Sequence, residues 1–205
     1  MNKIQSLASR SVGFLGILAI ASFAAPPVVA TSSWNIDPDH STIGFKVKHM
    51  MVSTVNGNFA KFTGTVDANE TDVTKSKINV SIDMASVTTG VSKRDDHLRS
   101  PDFFDVAKFP SMTYVSKSVK VVSTGKLQVT GDLTLHGVTK SVVLDVDGPT
   151  EAIKDPYGLT RRGVTATTKI NRKDFGLTYN AVLEAGGVAV GEEVSIILEL
   201  ELVKK

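Results

Sequence analysis

The chain has 205 residues, no cysteine, and 23 basic against 21 acidic residues, for a formal net charge of +2. Without cysteine there is no disulfide framework, no thiolate nucleophile and no thiolate metal site, so the fold must stand on packing alone. The near-balanced charge lacks the basic excess that nucleic acid demands, and nucleic acid is not an expected partner.

At the N-terminus, Lys3 and Arg10 lead into an apolar run from Val12 to Ala25, followed by Pro26-Pro27-Val28-Val29-Ala30. This is the layout of a secretory signal peptide. The run is shorter than the ~20 residues that span a bilayer. Val28 and Ala30 supply the side chains wanted three and one positions before the cut, which places cleavage after Ala30 and starts the mature chain at Thr31. Removing residues 1–30 takes away both early cations and no acid, so the remaining 175 residues carry 21 charges of each sign. That length fits a single domain, 31–205, with a real core.

From Ser41 onward apolar and polar residues alternate with period two, the mark of half-buried strands. Ile43, Phe45 and Val47 share one face, with Gly44, Lys46 and Lys48 on the other. The same alternation predicts strands over about 41–50, 57–68, 76–84, 111–122, 125–136, 138–147, 160–172 and 189–204. Turn signals fall at Asn56-Gly57, Thr124-Gly125, His136-Gly137, Asp147-Gly148-Pro149, Asp155 to Gly158 and Gly186-Gly187. Gly131 interrupts the row Leu127, Val129, Leu133 and marks a place where a strand can bend. Eight strands with short connections argue for antiparallel neighbours in an all-β barrel or sandwich.

One segment departs from alternation, between Val87 and Phe109. Ser92 with Asp95 reads as an N-cap followed by an acid at the third helical position, and Ser100-Pro101 offers a second start. A short helix over 92–99 and a helical turn over 101–105 are predicted, forming a helical insert at about 92–105.

An eight-stranded barrel is wide enough either to be filled by its side chains or to hold one slender ligand. Strand parity puts Phe45, Val47, Phe62, Ile82, Leu133, Leu144 and Leu198 on the inward face, and periodicity alone leaves a solid core and an apolar tunnel both open. The insert has two readings as well. Its charges, Lys93 to Arg99, can simply face water. Alternatively it forms a polar rim at a barrel mouth, with Arg94 and His97 meeting a ligand head group while Phe103 and Phe104 seat the insert as structural support.

For catalysis the sequence offers little. There is no Gly-x-Ser-x-Gly elbow, and the carboxylate pairs Asp95/Asp96 and Glu192/Glu193 are adjacent in sequence, so their side chains diverge. His40, His49, His97 and His136 are far apart, with no metal-binding spacing. No catalytic residue, metal or cofactor is expected.

Several segments together resemble the YceI-like family: Trp34 to Ser41, Phe45 to His49, Gly57 to Gly64, Lys93 to Asp105, Phe109-Pro110, Gly131 to Lys140, and Ile170 to Gly176. They occur in the family's order over nearly all of the mature chain, and the Arg-Asp-x-His-Leu block with its Phe-Phe-Asp tail is the most specific. Arg172 and Phe175 match the last motif, while Asn171 stands at a variable position. The resemblance implies an extended, lipocalin-like eight-stranded barrel in bacterial periplasmic proteins, with an elongated apolar pore for polyisoprenoid chains. It thereby implies a non-enzymatic periplasmic carrier of a polyprenyl or isoprenoid-quinone lipid, which touches membranes only transiently for lipid exchange. A homodimer is left open. Two other readings stand beside it: an enzyme acting on such a lipid with His97 or Asp95 as acid/base, and a stress-response protein that binds another protein through a strand edge.

Overall fold

A computed structural model describes residues 30–182 and 187–205. The signal-peptide reading and part of the Gly186-Gly187 turn lie outside the described residues. The elements are β1 (Thr31–Ile36), β2 (Thr42–His49), β3 (Ser53–Phe59), β4 (Phe62–Asn69), β5 (Lys77–Asp83), β6 (Val87–Thr88), α1 (Ser92–Arg99), β7 (Ser111–Ser123), β8 (Lys126–Leu135), β9 (Val138–Asp147), β10 (Ile153–Lys154), β11 (Thr160–Asn171) and β12 (Val190–Lys204).

The strands form one antiparallel barrel of eight staves, three of them interrupted. β1 and β2 run along the same edge of β12, β1 opposite Leu202 to Lys204 and β2 opposite Val190 to Glu199. β3 pairs with β2 while β4 pairs with β1. Likewise β5 pairs with β4, and the short β6 pairs with β3. Each pair β1/β2, β3/β4 and β5/β6 is therefore one stave with a break. The ring continues through β7, β8, β9 and β11, and an eleven-pair register from Arg161↔Val203 to Asn171↔Glu193 closes it on β12.

The breaks have local causes. Asp37 and Asp83 each turn a side chain back onto a backbone N–H two residues on, at Asp39 and Ala85, over 3.1 and 2.9 Å. Each starts a 3-10 turn, Pro38–His40 and Met84–Ser86. Such caps offer the backbone an alternative to the sheet ladder, and Pro38 has no N–H to give to a ladder in any case.

Three expectations are corrected. The stretch 57–68 is two strands, because the chain bends at Ala60-Lys61 where Ala60 N–H donates to the Ser86 carbonyl over 3.1 Å. Asn56-Gly57 is not a turn. It lies inside β3, where Gly57 faces Phe45 and a Cβ would come 2.3 Å from the ring. The β2–β3 hairpin instead turns through Met50 and Met51, at φ 50° and 60°, and the strand β1 was not predicted at all. Finally, α1 spans the predicted residues, but Val91 occupies the N-cap and no side chain caps it. The 101–104 stretch is a run of turns.

Other turns follow their chemistry. His136 and Gly137 both have positive φ, 51° and 75°, as the two central residues of a type I′ hairpin require. Inward residues on the staves make one continuous core, from Trp34 and Ile36 through Ile43, Met112 and Leu133 to Phe175 and Leu177.

Candidate functional site

The barrel interior is hollow. A larger chamber of about 170 Å³ is walled by residues such as Ile36, Val129, Leu144, Ala166 and Leu200, and among the described residues its only side chains with oxygen or nitrogen atoms are Ser76, Tyr114 and Thr168. A smaller chamber of about 100 Å³ lies towards the α1 end, walled by Phe45, Phe59, Ile170, Val194 and others. Both chambers touch Ile43, Met112 and Ile196, which form a waist between them. Period-two alternation produces this bore: along β12, Val194 and Ile196 face the smaller chamber and Leu198, Leu200 and Leu202 the larger.

The inward residues named from parity fall as follows. Ile82, Leu133, Leu144 and Leu198 line the larger chamber, and Phe45 and Val47 line the smaller. Phe62 is buried in the core and lines neither.

The core at the Ile36 end of the larger chamber, its floor, is built on a residue outside the predicted strands. Trp34, 1% exposed, lies on the same face of β1 as Ile36. Its indole Nε1 donates to Ser32 Oγ over 2.7 Å, and that hydroxyl donates to Glu70. Arg162 stacks its guanidinium 4.8 Å over the indole and reaches Glu70 at 3.4 Å. These partners hold the Glu70 carboxyl below its ordinary range, the Ser32 hydrogen bond most of all.

Beside this floor, outside the bore, Arg161 gathers Asp37 and Asp155, each at 2.6 Å, together with Glu201. His40 joins the cluster through Asp37 at 2.9 Å. Asp37, His40 and Glu201 lie close enough to hold a cation, but the guanidinium of Arg161 already supplies the positive charge there.

The insert forms the other end. Leu98, Phe103 and Phe104 face the smaller chamber, and Phe104 sits 6.1 Å from Phe59. Phe103, His97 and Tyr179 make a mutually packed trio with centroids 4.9 to 5.0 Å apart. His97 Nε2 meets Asp102 at 2.9 Å on the outside. Arg94 donates to Thr89, from Nε to the hydroxyl at 2.7 Å and from a terminal nitrogen to the carbonyl at 3.1 Å. Neither Arg94 nor His97 lines a chamber. Asp95, buried, accepts from the Thr89 N–H at 2.8 Å and from the hydroxyls of Thr89 and Thr88. Burial alone would raise its carboxyl, but these hydrogen bonds outweigh that and leave it lowered.

Arg172, matched in the last motif but not chosen as a site residue, is the cation among the lining residues, with its nitrogens turned to the backbone carbonyls of Gly191, Leu177 and Val190. It follows Ile170 on the inward parity of β11 and lines the smaller chamber. The parity was legible, but a cation two residues beyond an apolar row does not read as part of a core.

The comparisons with known proteins agree with this architecture. Residues 34–202 match the YceI-like domain. The chain belongs to the YceI-like family. A UPF0312 protein from Pseudomonas syringae pv. tomato is 38% identical over 173 residues, 84% of this chain and 87% of the relative. A UPF0312 protein from Staphylococcus aureus MW2 is 36% identical over 163 residues, 80% of this chain and 92% of the relative. Among solved structures, the YceI-like barrel is similar to the Campylobacter jejuni YceI protein, with a TM-score of 0.66, 32% identity, and coverage of 78% of this chain and 91% of that one. Two more distant structures share the fold. One is a polyisoprenoid binding domain from Saccharophagus degradans, with a TM-score of 0.60, 17% identity and coverage of 85% and 99%. The other is BcnA of Burkholderia cenocepacia, with a TM-score of 0.69, 23% identity and coverage of 81% and 98%.

Proposed function

We propose that this YceI-like protein is an exported, periplasmic carrier for a lipid with a long isoprenoid chain. The observation that carries the reading is the apolar bore itself, two chambers in line inside a closed barrel, with a waist between them. The shared fold of the Saccharophagus degradans polyisoprenoid binding domain supports it. At ~0.8 kcal/mol per buried CH₂, such a chain needs few polar contacts to be retained.

The larger chamber is close in size to a cavity of ~150 Å³ that accepts one small apolar guest. A longer chain must therefore displace side chains at the waist. Met112 suits that position, because an unbranched thioether repacks easily.

Binding without catalysis fits the polar groups present. Asp95 is held by two threonines and His97 by Asp102, so the two candidates for acid/base work serve the insert's own structure. Loading requires brief contact with a membrane, for which the exposed hairpin Met50-Met51-Val52 is placed, beside the segment leading into β12.

Native mass spectrometry of protein purified from the periplasm tests the proposal. The expected result is a bound lipid of defined mass that is lost in Leu144→Trp, where an indole fills the larger chamber. Protein recovered without lipid, or equal retention in a folded Leu144→Trp variant, overturns it. N-terminal sequencing of the same sample should start at Thr31.

A further inference from the structure

Both ends of the bore are fastened by polar contacts. At the floor, Trp34 is tied to Ser32 and through it to Glu70, which also meets Arg162. At the insert, Asp95 accepts from Thr88 and Thr89, while Arg99 donates to the carbonyls of Ala85 and Val87. Arg172 closes the same end through the carbonyls of Leu177, Val190 and Gly191. A chain that enters end-on must break several of these contacts, so a less bonded stretch of wall offers a cheaper way in.

Such a stretch lies between β9 and β11. Their ladder has three pairs, Thr165↔Asp147, Ala166↔Val146 and Thr167↔Asp145, and stops there. Each strand is nevertheless held along its other edge: β9 pairs with β8 from Lys126↔Asp147 to Leu135↔Val138, and β11 with β12 from Arg161↔Val203 to Asn171↔Glu193. Between Val138–Leu144 and Thr168–Asn171 no hydrogen bond or salt bridge crosses among the described residues. The residues beside this gap line the bore, Val142, Leu144 and Thr168 the larger chamber and Ile170 the smaller. The 3-10 turn Arg172–Phe175 touches both strands and buries Phe175, 2% exposed, in the core. Arg172 fastens that turn to β12. Towards the β8–β9 hairpin there is only packing, so close that a Cβ at Gly176 would lie 3.4 Å from His136 Nδ1.

We infer that this seam is the door of the bore: the unpaired half of β9 moves away from β11 about the three remaining pairs, and an apolar chain enters sideways. The inference rests on the reading of the bore as a lipid site. Opening costs the packing of Phe175 and His136 but no ladder hydrogen bond, and the full ladders on the far edges keep β9 and β11 formed while the seam parts. Because the gap runs from the larger chamber to the smaller, a long chain is laid into both at once instead of being threaded past Ile43, Met112 and Ile196.

The test uses the absence of cysteine from the chain. Continued in the same register, the ladder would set Val143 opposite Lys169, and both are exposed. Val143→Cys with Lys169→Cys, bridged by a short reducible bis-methanethiosulfonate, staples the seam shut. Uptake of geranylgeraniol by delipidated protein is followed in stopped flow through the fluorescence of Trp34, the single tryptophan. The stapled protein should load at least about tenfold more slowly than wild type, as expected when opening gates entry, and reduction should restore the rate. A staple between Asp145→Cys and Thr167→Cys, which are already paired, should leave it unchanged. Loading of the seam-stapled protein at the wild-type rate means entry through an end of the barrel, which overturns the inference and leaves the lipid reading standing. Equal slowing by both staples means that the whole barrel must loosen, which also overturns it. Failure of geranylgeraniol to bind the wild type overturns the lipid reading itself. If the first pair does not fold when reduced, Ser141→Cys with Asn171→Cys, both exposed and next in the same register, carries the same expectations.

Discussion

The ring of Tyr114 occupies the space that a side chain at Gly131 would need. A Cβ at 131 would lie 2.5 Å from the ring's Cζ and 2.6 Å from the Val115 carbonyl oxygen. The phenol in turn donates to the Val129 carbonyl at 2.9 Å, which fixes the ring across the wall of the larger chamber. Gly57 differs, because the three atoms nearest its missing Cβ all belong to the Phe45 ring. Both Gly131→Ala and Gly57→Ala should cost about 1 to 3 kcal/mol in denaturant unfolding, the usual penalty for overpacking. Adding Phe45→Leu should recover most of the loss at 57. Adding Tyr114→Leu should not recover it at 131, because the clash with backbone remains. Equal rescue at both positions would contradict this distinction.

Acid should loosen the floor. Arg161 first, and His40 second, hold the Asp37 carboxyl at about 2 against an ordinary 3.8, and Arg161 also lowers Asp155. A carboxylate depressed in the folded state contributes fully above its unfolded value, and the contribution is lost as pH falls towards the folded one. The decline is therefore expected between about pH 4 and pH 2. Asp37→Asn should lose about 2 kcal/mol at neutral pH and flatten that part of the profile, read by chemical denaturation across pH. His40 acts in the opposite sense: Asp37 raises it, so its contribution is complete below 6.5 and disappears as pH rises through the raised value.

Arg94→Ala should lower stability by about 1.5 kcal/mol, the worth of a hydrogen bond to a charged group, because Thr89 loses its donor. Lipid retention should hardly change. Phe104→Ala, which strips the insert of its seat against Phe59, should cost about 3 kcal/mol. Selective loss of lipid from Arg94→Ala at an unchanged melting temperature would return the head-group role to the insert.

The hairpin tip invites a different measurement. Met50 and Met51 hold a left-handed backbone that non-glycine residues rarely adopt. Val52 beside them is 85% exposed and Val182 is 87% exposed. Met51→Gly should relieve backbone strain and raise stability by up to about 1 kcal/mol. If the tip meets the membrane, the same variant should take up lipid from anionic vesicles more slowly. Unchanged transfer kinetics would remove the tip from the loading step.

Eight staves and α1 were legible because alternation and the break in it are strong signals. β1 was not, because its inward row is Ser32, Trp34, Ile36 and a serine does not announce a buried face. Asn56-Gly57 misled because that dipeptide marks hairpins, whereas here glycine makes room for Phe45. The true turn at Met50-Met51 carries no turn chemistry at all. Arg94 and His97 were chosen as the polar mouth because they are charged and stand at the break in alternation. Arg172 was noted only as a match to the last motif and not as a site residue, because sequence parity locates a side chain but does not describe what surrounds it.

The three interrupted staves break side by side. Asp83 N–H donates to the Lys61 carbonyl at 2.9 Å and Ala60 N–H to that of Ser86 at 3.1 Å, while Ile43 follows the first break and pairs with Phe59 at the second. Elsewhere round the ring, β8, β11 and β12 pass this level without 3-10 turns. A hydrogen-bonded ladder resists bending where it is continuous and yields where caps replace it. The bore therefore has one compliant wall and one stiff wall at its waist. A thicker guest is accommodated by flexing the jointed side around Ile43 and Met112, while the β11–β12 seam keeps the barrel closed.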